Sequence, residues 1–372
     1  MPPLVKNLAM AGQLQYALTT KAEFSFSCPT NLLVMKSIFS LFLIFCTLWL
    51  QAQIRIVETN TKASFRAMSV VDDQVVWLAG TQGTVGRSVS GGKTWEFQTI
   101  PGFESSDFRT LYAFDSLRAI VANAGSPAVV LRTENGGKTW QEVYRNTHKD
   151  AFLDGVDFWD EKRGIIYGDP INRSMLLLKT SDGGRTWLEE SESQRPKLDS
   201  GEASFAASGT NIKLWDKKKI AIATGGLKSR IWFSENEGKS WEKIPVPILQ
   251  GTDSRGIFSL FIQNQKWMVA GGDYKADTLK KDHVYLSPDE GKTWIFPQKP
   301  TGGYRECIGL AGEDSLLAAG PSGVDFSEDG GKNWTLISNL KGFHVVKKAR
   351  QGKLVVLAGA KGLIGIFVNK NL

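Results

Sequence analysis

The stretch SDGGRTW, residues 181–187, combines the residue types that phosphate-binding loops use: two glycines, a cation and hydroxyl side chains. A P-loop, however, requires the spacing G-x-x-x-x-G-K-[ST]. In the similar stretch SVSGGKTW, residues 88–95, the first glycine of that pattern would fall on residue 87, which is Arg87. The other copies also miss the spacing, so the sequence predicts a structural loop here and no nucleotide site.

This stretch occurs six times, and each copy, called the box below, ends in a tryptophan. The closing residues lie 40 to 54 positions apart, at Trp95, Trp140, Trp187, Trp241, Trp294 and Trp334. Such a period is typical of propellers and other repeat folds. The third residue of each box has a side chain suited to accept backbone N–H groups within a tight turn: Ser90, Asn135, Asp182, Asn236, Asp289 and Asp329.

Each repeat has the pattern of four short strands joined by turns, which is one blade of a propeller. A seventh copy lacks the box, but residues 357–365, LAGAKGLIG, match residues 78–86, LAGTQGTVG, glycine for glycine. The outer strand missing from this copy can come from residues 53–58, QIRIVE, which would leave no open sheet edge. The sequence therefore predicts an all-β fold, a seven-bladed β-propeller of four-stranded blades whose ring is closed by the N-terminal strand.

The N-terminal region has the pattern of a secretory signal. Residues 35–53, MKSIFSLFLIFCTLWLQAQ, carry a charged start and an apolar core that is short for a membrane span of about 20 residues. We expect residues 1–34 to be a leader outside the mature protein, and residues 35–52 to be a signal peptide cleaved near Ala52. A single domain, 53–372, would then be exported to the periplasm or the medium. A retained anchor, or lipid attachment at Cys46, is an alternative, although bulky residues precede Cys46.

The charge and the cysteine content give no indication of nucleic-acid binding or of redox chemistry. The formal net charge is +7, and it falls to +5 without residues 1–52, which contain three lysines and one glutamate. This mild excess does not indicate a nucleic-acid partner. Cys28 and Cys46 lie in the leader, so Cys307 would remain alone, without a disulfide partner or a redox pair. The sequence shows no metal-ligand spacing either, and we expect no metal and no cofactor.

Candidate site residues occur where the innermost strand of each blade begins. Six of the seven blades carry a polar residue directly after the first strand residue: Arg66, Arg109, Asp154, Asn211, Arg305 and His344. The fifth blade carries Ile257 there, but Arg255 lies two residues earlier, on the same side of a strand. One interpretation is a wet channel wall in which arginines pair with Asp154, Glu202 or Glu306. The other is an arginine-lined funnel that binds carboxylates or an acidic peptide.

Three insertions lengthen the connections between strands. Residues 190–208 precede the fourth blade, and residues 169–174 and 273–282 interrupt hairpins of the third and fifth blades. Long loops on a rigid scaffold often carry recognition.

The box resembles that of Asp-box, or bacterial neuraminidase repeat, propellers. Its GG-K-T-W form, with LAG-type second strands and seven blades, is most similar to the photosystem II assembly and stability factor family. This similarity covers residues 53–368, and GEASFAASGT, residues 201–210, resembles the non-photosynthetic bacterial branch. The resemblance implies a non-catalytic propeller whose arginine patch assists assembly of a membrane complex. Carried over by position, that patch would comprise Arg66, Arg109, Arg255 and Arg305.

Sialidases share the Asp box and provide an enzymatic alternative. Such an enzyme would use Arg66, Arg109 or Arg255, and Arg305 for the substrate carboxylate, with Tyr304, Glu306 and Asp154 for the chemistry. Sialidases are typically six-bladed, which disfavours this alternative. Some relatives carry an oxidoreductase label, but no motif in this sequence supports it.

The function predicted from these observations is an exported, non-catalytic scaffold. We expect it to be a monomer whose ligand is a protein partner, either free or within a membrane complex, or an acidic ligand. A glycan ligand and a purely structural or adhesive module stay open as alternatives.

Overall fold

The structure is a computed structural model that describes residues 54–368. The predicted leader, 1–34, and the predicted signal peptide, 35–52, lie outside the described residues. Within them, the chain forms antiparallel sheets, each of which is one blade. The two helices among these residues are single 3₁₀ turns, Glu192–Gln194 and Ala360–Gly362, and no described helix is long and apolar enough to cross a membrane.

The first three blades each consist of four consecutive strands. Blade one contains β2 (Phe65–Val70), β3 (Val76–Gly80), β4 (Thr84–Ser88) and β5 (Glu96–Thr99); blade two contains β6 (Phe108–Ala113), β7 (Ala119–Asn123), β8 (Ala128–Thr133) and β9 (Gln141–Asn146). Blade three contains β10 (Leu153–Phe158), β11 (Gly164–Ile171), β12 (Ser174–Thr180) and β13 (Leu188–Glu189).

Blades four and five follow the inserted region, and a short strand of that region joins the sheet of blade five. Blade four contains β15 (Ile212–Trp215), β16 (Lys219–Ala223), β18 (Arg230–Ser234) and β19 (Glu242–Pro245). Blade five contains β20 (Arg255–Gln263), β21 (Lys266–Asp273) and β22 (Val284–Ser287), with β14 (Glu202–Ala203) and β17 (Gly225–Gly226) added at its inner edge. Its outer strand is reduced to one bridge between Leu286 and Ile295. Pro297, which has no N–H to donate to the sheet, follows two residues later.

Blades six and seven complete the ring. Blade six contains β23 (Cys307–Leu310), β24 (Leu316–Gly320), β25 (Gly323–Ser327) and β26 (Thr335–Ser338). Blade seven contains β27 (Phe343–Lys348), β28 (Val355–Gly359), β29 (Ile364–Phe367) and, as its outer strand, β1 (Ile54–Val57). The β1–β29 pairing runs from Ile54 opposite Phe367 to Val57 opposite Ile364. The predicted seven-bladed propeller and its closure by the N-terminal strand are therefore confirmed.

The hydrophobic core consists of layers between neighbouring blades. Trp77 of β3 packs with Phe108 of β6 between blades one and two, and Ile120 of β7 packs with Leu153 of β10 between blades two and three. Because both faces of a sheet are covered, the second strands are almost continuously apolar, as in VWLAG and LLAAG. The free thiol of Cys307 lies buried within this core.

Each box forms a hydrogen-bonded turn between the third and fourth strands of its blade. The hydroxyl of the first box residue accepts the N–H of the fifth residue, as in Thr180 to Gly184 at 2.9 Å. The side chain of the third residue accepts the N–H of the seventh, as in Asp182 to Thr186 at 3.0 Å. All six boxes contain both bonds, and Ser90 makes the second one as well as the acidic residues do.

The closing tryptophans differ in their surroundings. The Trp334 ring is almost fully buried and its Nε1–H donates to the Gly331 carbonyl within the same box at 2.9 Å. The Trp241 ring is half-buried and donates to Gln194 of the inserted region. The six residues therefore share a position in the turn but not a contribution to the core.

We expect Trp334→Ala to lower the free energy of unfolding by about 3–5 kcal/mol, because it removes a buried aromatic ring and leaves a cavity. Trp241→Ala should cost clearly less, since its ring already contacts water. Urea denaturation of both variants measures the difference. Equal losses would show that the box turn, rather than burial of the ring, determines the contribution.

Candidate functional site

Most of the polar residues at the start of the innermost strands lie in β-bulges. In five blades the pairing with the second strand slips by one residue at this point. The residues in the slip are Arg66, Arg109, Asp154, Phe258 and His344. Bulges re-aim a side chain, and here they place it at one end of the central channel. We call this end the bulge end.

Glycine at the end of the second strand permits the bulge. A Cβ at Gly80 would lie 2.1 Å from the Ser64 carbonyl oxygen, and one at Gly359 would lie 1.9 Å from the Gly342 carbonyl oxygen. No other residue could accept that approach of two backbones without a shift. The glycines of LAGTQGTVG and LAGAKGLIG thus position Arg66 and His344.

Arg66 and His344 converge on one carboxylate. Arg66 Nη1 donates to Glu306 Oε2 at 2.7 Å, and His344 Nδ1 lies 2.8 Å from the same oxygen. In blade six, the Glu306 N–H bonds to the carbonyl of Ala319, the residue that pairs with Cys307. Glu306, rather than Arg305, therefore occupies the bulge position of blade six.

The sequence analysis assigned Arg305 to the bulge position of blade six. Arg305 lies one residue before that position, and its side chain points into the core. Its Nε donates to Asp325 Oδ2 at 2.7 Å, and Nη1 donates to the Tyr304 carbonyl and the Ser322 hydroxyl. The Arg305 side chain is 1% exposed and that of Asp325 is 3% exposed. The sequence could not separate the two positions because Arg305 and Glu306 are both polar and the bulge has no sequence marker of its own.

Arg109 and Arg255 remain accessible at the bulge end. Arg109 Nε donates to Asp107 at 2.7 Å, and Arg255 Nε donates to Asp273 at 2.9 Å. Their side chains are 34% and 33% exposed, and that of Arg66 is 25% exposed. Within residues 54–368, neither Arg109 nor Arg255 makes another hydrogen bond through its guanidinium. The terminal N–H groups of these two arginines therefore have no hydrogen-bond partner among the described residues.

Asp154 and Asn211 are fully buried and do not face the channel mouth as free groups. Neither carboxylate oxygen of Asp154 has a hydrogen-bond partner among the described residues. Burial, and then the negative charge of Asp169, raise the pKa of Asp154 well above its usual range, although Arg109 acts in the opposite direction. Asn211 donates through Nδ2 to the Phe205 carbonyl at 2.9 Å, and this contact ties it to the inserted region.

The insertion covers the channel at the bulge end. Residues 201–209, called the plug below, follow β13, and the Phe205 ring stacks on Phe258 with ring centroids 3.8 Å apart. The Ala207 carbonyl accepts Arg66 Nη1 at 3.3 Å, and Ser208 Oγ donates to the Glu306 carbonyl at 2.8 Å. The predicted funnel is therefore filled at its centre, and Arg66, Arg109 and Arg255 lie partly exposed at its rim.

The residues proposed for glycosidase chemistry are not accessible together. Tyr304 is 2% exposed and packs edge-on against Phe258, and burial raises its pKa well above the usual range. Glu306 is held by Arg66 and His344, and Asp154 is fully buried. A sugar would have to displace the plug to reach them. The described residues also contain no group of three or more His, Cys, Asp or Glu side chains suited to a metal.

These contacts define a seven-bladed β-propeller with paired arginines around one covered end of its channel. The family described as photosynthesis system II assembly factor YCF48 matches residues 47–151. The photosystem II assembly lipoprotein Ycf48 of Picosynechococcus sp. is 27% identical, over 75% of this chain and 76% of that protein. The resemblance inferred from the boxes is thereby confirmed: the chain is similar to the photosystem II assembly factors.

Solved structures agree on the fold. YCF48 bound to a D1 peptide has a TM-score of 0.64 at 15% identity, covering 86% of this chain and 97% of that one. YCF48 from Cyanidioschyzon merolae has a TM-score of 0.62 at 19% identity, covering 84% and 98%. Virginiamycin B lyase from Staphylococcus aureus has a TM-score of 0.61 at 10% identity, covering 84% and 98%. A protein that binds a D1 peptide and a lyase thus share this architecture, and the fold alone does not decide the function.

We expect Asp154→Asn to stabilise the protein at neutral pH. Because the native pKa of Asp154 is raised, the folded state binds its proton more tightly than the unfolded state does. Wild-type stability should therefore fall as pH rises from the unfolded pKa of about 3.9 towards the native value. The variant escapes this loss, so its advantage in unfolding free energy should grow as pH rises above about 4. A difference that stays constant with pH would contradict the assignment.

Arg305→Ala and Arg109→Ala should have different effects on stability. Removing Arg305 leaves the Asp325 carboxylate buried and uncompensated, which costs about 3–5 kcal/mol. The Arg109–Asp107 pair contacts water, so its loss should cost about 1 kcal/mol or less. Thermal and urea unfolding compare the two. A small effect at Arg305 would show that this ion pair is solvated in the native state.

Proposed function

We propose that this protein is an exported, non-catalytic propeller scaffold that binds an acidic segment of a protein partner through Arg66, Arg109 and Arg255. The single observation that carries the proposal is the state of these three guanidinium groups. They lie at the same end of the innermost strands, they are partly exposed, and Arg109 and Arg255 each keep donors that no described residue uses. We call the three residues the arginine rim.

Rim chemistry favours a carboxylate ligand. A guanidinium presents a planar fork of N–H donors that matches a carboxylate with two parallel hydrogen bonds. Asp107 and Asp273 already occupy one edge of Arg109 and Arg255, and these contacts hold the side chains in place before a ligand arrives. Pre-ordered donors lose less conformational entropy on binding. The plug supplies half-buried apolar surface beside them, including Phe205.

Similar proteins support a peptide rather than a sugar as the ligand. The name of one solved structure of this fold states that YCF48 binds a D1 peptide, and the curated relative is a photosystem II assembly lipoprotein. By analogy, the partner of this chain would be a protein, in a membrane complex that a periplasmic or secreted scaffold can reach. The signal pattern of residues 35–52 supports export, and the lipoprotein relative makes lipid attachment at Cys46 the alternative to be tested beside it.

The glycosidase alternative has little support in the geometry. The side chains assigned to its chemistry, Tyr304, Glu306 and Asp154, lie beneath or beside the plug, whereas catalysis requires their contact with the substrate. No contact of the described residues favours the oxidoreductase alternative either. A glycan bound at the rim without turnover would be a variant of the scaffold function.

The double variant Arg109→Gln/Arg255→Gln tests the proposal. Both side chains are partly exposed, so the fold should survive, whereas Arg305 would be an unsuitable choice because it is buried. We expect the variant to lose at least about tenfold in affinity for the partner, since each charge-assisted contact contributes about 1.5–3 kcal/mol. Cross-linking in the source membranes identifies the partner, and quantitative pull-down with that partner measures the loss.

The matched control is Arg145→Gln/Arg185→Gln. These arginines also form ion pairs with surface carboxylates, at Glu142 and Glu134, but they lie on the outer strands and box turns. The control should bind like the wild type. Equal binding by all three proteins would refute the arginine rim, and equal loss in both variants would show that net charge alone governs the association.

A further inference from the structure

A second polar region lies inside the central channel, beyond the plug. Here the innermost strands line a cavity of about 250 Å³ that opens to solvent. It begins at Gly209, the last residue of the plug, and at Thr210, and it extends to the far ends of those strands. The side chains that determine its chemistry are Ser69, Tyr112, Asp157, Lys213, Lys347 and Arg350. We call this cavity the channel well.

Cations outnumber carboxylates in the channel well. Lys213, Lys347 and Arg350 line it, and Asp157 is the one carboxylate among its described lining residues. Asp157 is already engaged, because Oδ2 accepts the Leu214 N–H at 2.8 Å and lies 3.6 Å from Lys213 Nζ. Lys348 also lines the cavity, but its Nζ donates to the Gly352 carbonyl. The side chains that face the cavity therefore carry an excess of about two positive charges.

Lys347 is the least compensated of these groups. Within the described chain its ammonium makes no ion pair and no hydrogen bond, and its charged neighbours include Arg350 and Lys213, which have the same sign. Burial lowers the pKa of Lys347; Cys307 and Asp157 raise it, and the like charges of Arg350 and Lys213 lower it further. The side chain is half-buried, and a partly desolvated ammonium without a hydrogen-bonded partner is costly. An anion in the cavity would offset that cost by direct contact, which no side chain of the described residues makes with the Lys347 ammonium.

The other walls of the channel well hold their groups in place. Arg350 Nη1 donates to Ser69 Oγ at 2.8 Å, and its guanidinium lies 4.5 Å from the centre of the Tyr112 ring. At the closed end, Thr210 Oγ1 bonds to the hydroxyls of Ser208 at 2.6 Å and Ser259 at 2.8 Å. The hydroxyl chain and the plug close one end of the channel, so a ligand would enter from the opposite side, past Arg350.

We propose that the channel well binds a small oxyanion with two negative charges, such as phosphate, sulfate or a short dicarboxylate, between Lys213, Lys347 and Arg350. A doubly charged ion matches the excess of positive charge. The volume lies below the range of about 300–1,000 Å³ that drug-sized ligands occupy, which restricts the ligand to a small molecule. This site lies on the far side of the plug from the arginine rim and is independent of the partner proposed above.

Calorimetric titration of the purified protein with inorganic phosphate tests the proposal, with chloride holding the ionic strength constant. Wild type should bind phosphate, and Lys347→Gln should weaken binding by about tenfold or more, the usual effect of losing a charge-assisted contact. Lys266→Gln is the matched control, because this lysine is exposed and paired with Asp314 outside the cavity. It should bind phosphate like the wild type.

Asp157→Asn gives a result in the opposite direction. It removes the one negative charge of the cavity and keeps an oxygen for the Leu214 N–H, so phosphate should bind more tightly than to wild type. This gain distinguishes a ligand site from a merely structural role of the lysines. If Lys347→Gln fails to fold, Lys213→Gln replaces it beside Asp157→Asn, and the same opposed effects are expected.

The remaining outcomes each decide the question. Parallel titrations with sulfate and succinate show whether the preferred ion is an inorganic oxyanion or a dicarboxylate. Absence of binding for all three ions would overturn the proposal, as would equal weakening by Lys266→Gln. Arg109→Gln/Arg255→Gln should bind phosphate normally, so a failure of the arginine rim and a failure of the channel well can be told apart.

Discussion

Burial of both faces of every blade is the constraint on which the rest of this structure depends. A single four-stranded sheet with apolar residues on both faces has no stable solution in water, and each blade solves this by packing against two neighbours. The ring must therefore close. Pairing of β1 with β29 does so by joining the two ends of the described chain, and no blade is left with an uncovered face.

Closure also determines how charge is distributed around the channel. The innermost strands converge there, and the bulges of five blades, together with Glu306 of blade six, place side chains at the crowded bulge end. Charges at or beside these positions need partners, and two solutions occur. Arg305 and Asp325 form a buried ion pair that is part of the core. Arg109 and Arg255, by contrast, form ion pairs with Asp107 and Asp273 at the rim and keep contact with water. Chemically identical side chains at the same end of the channel are thus buried in one case and partly exposed in the other.

The plug divides the channel into two environments with different chemistry. On one side, the arginine rim surrounds an aromatic and small-residue cover that suits a polypeptide surface. On the other, the channel well is small, basic and closed at one end only, which suits a small ion. The same segment, residues 201–209, contacts Glu306 and Phe258 on the rim side and leads through Gly209 into the well. Its hydrogen bonds to Glu306 and Arg66 make it part of the rigid scaffold rather than a free loop.

The sequence by itself determined the repeat, the blade count and the closing strand, because these follow from local patterns: the period of the tryptophans, the glycines of LAGTQGTVG and the alternating segment at 53–58. It also located the end of the strands where Arg66 and Arg109 lie. Only the tertiary structure decided that Arg305 is buried, that Glu306 takes the bulge position and that the insertion covers the channel. The physical reason is that a bulge shifts the register by one residue without a sequence signal, and that contacts such as Arg66 with Ala207 join residues more than a hundred positions apart.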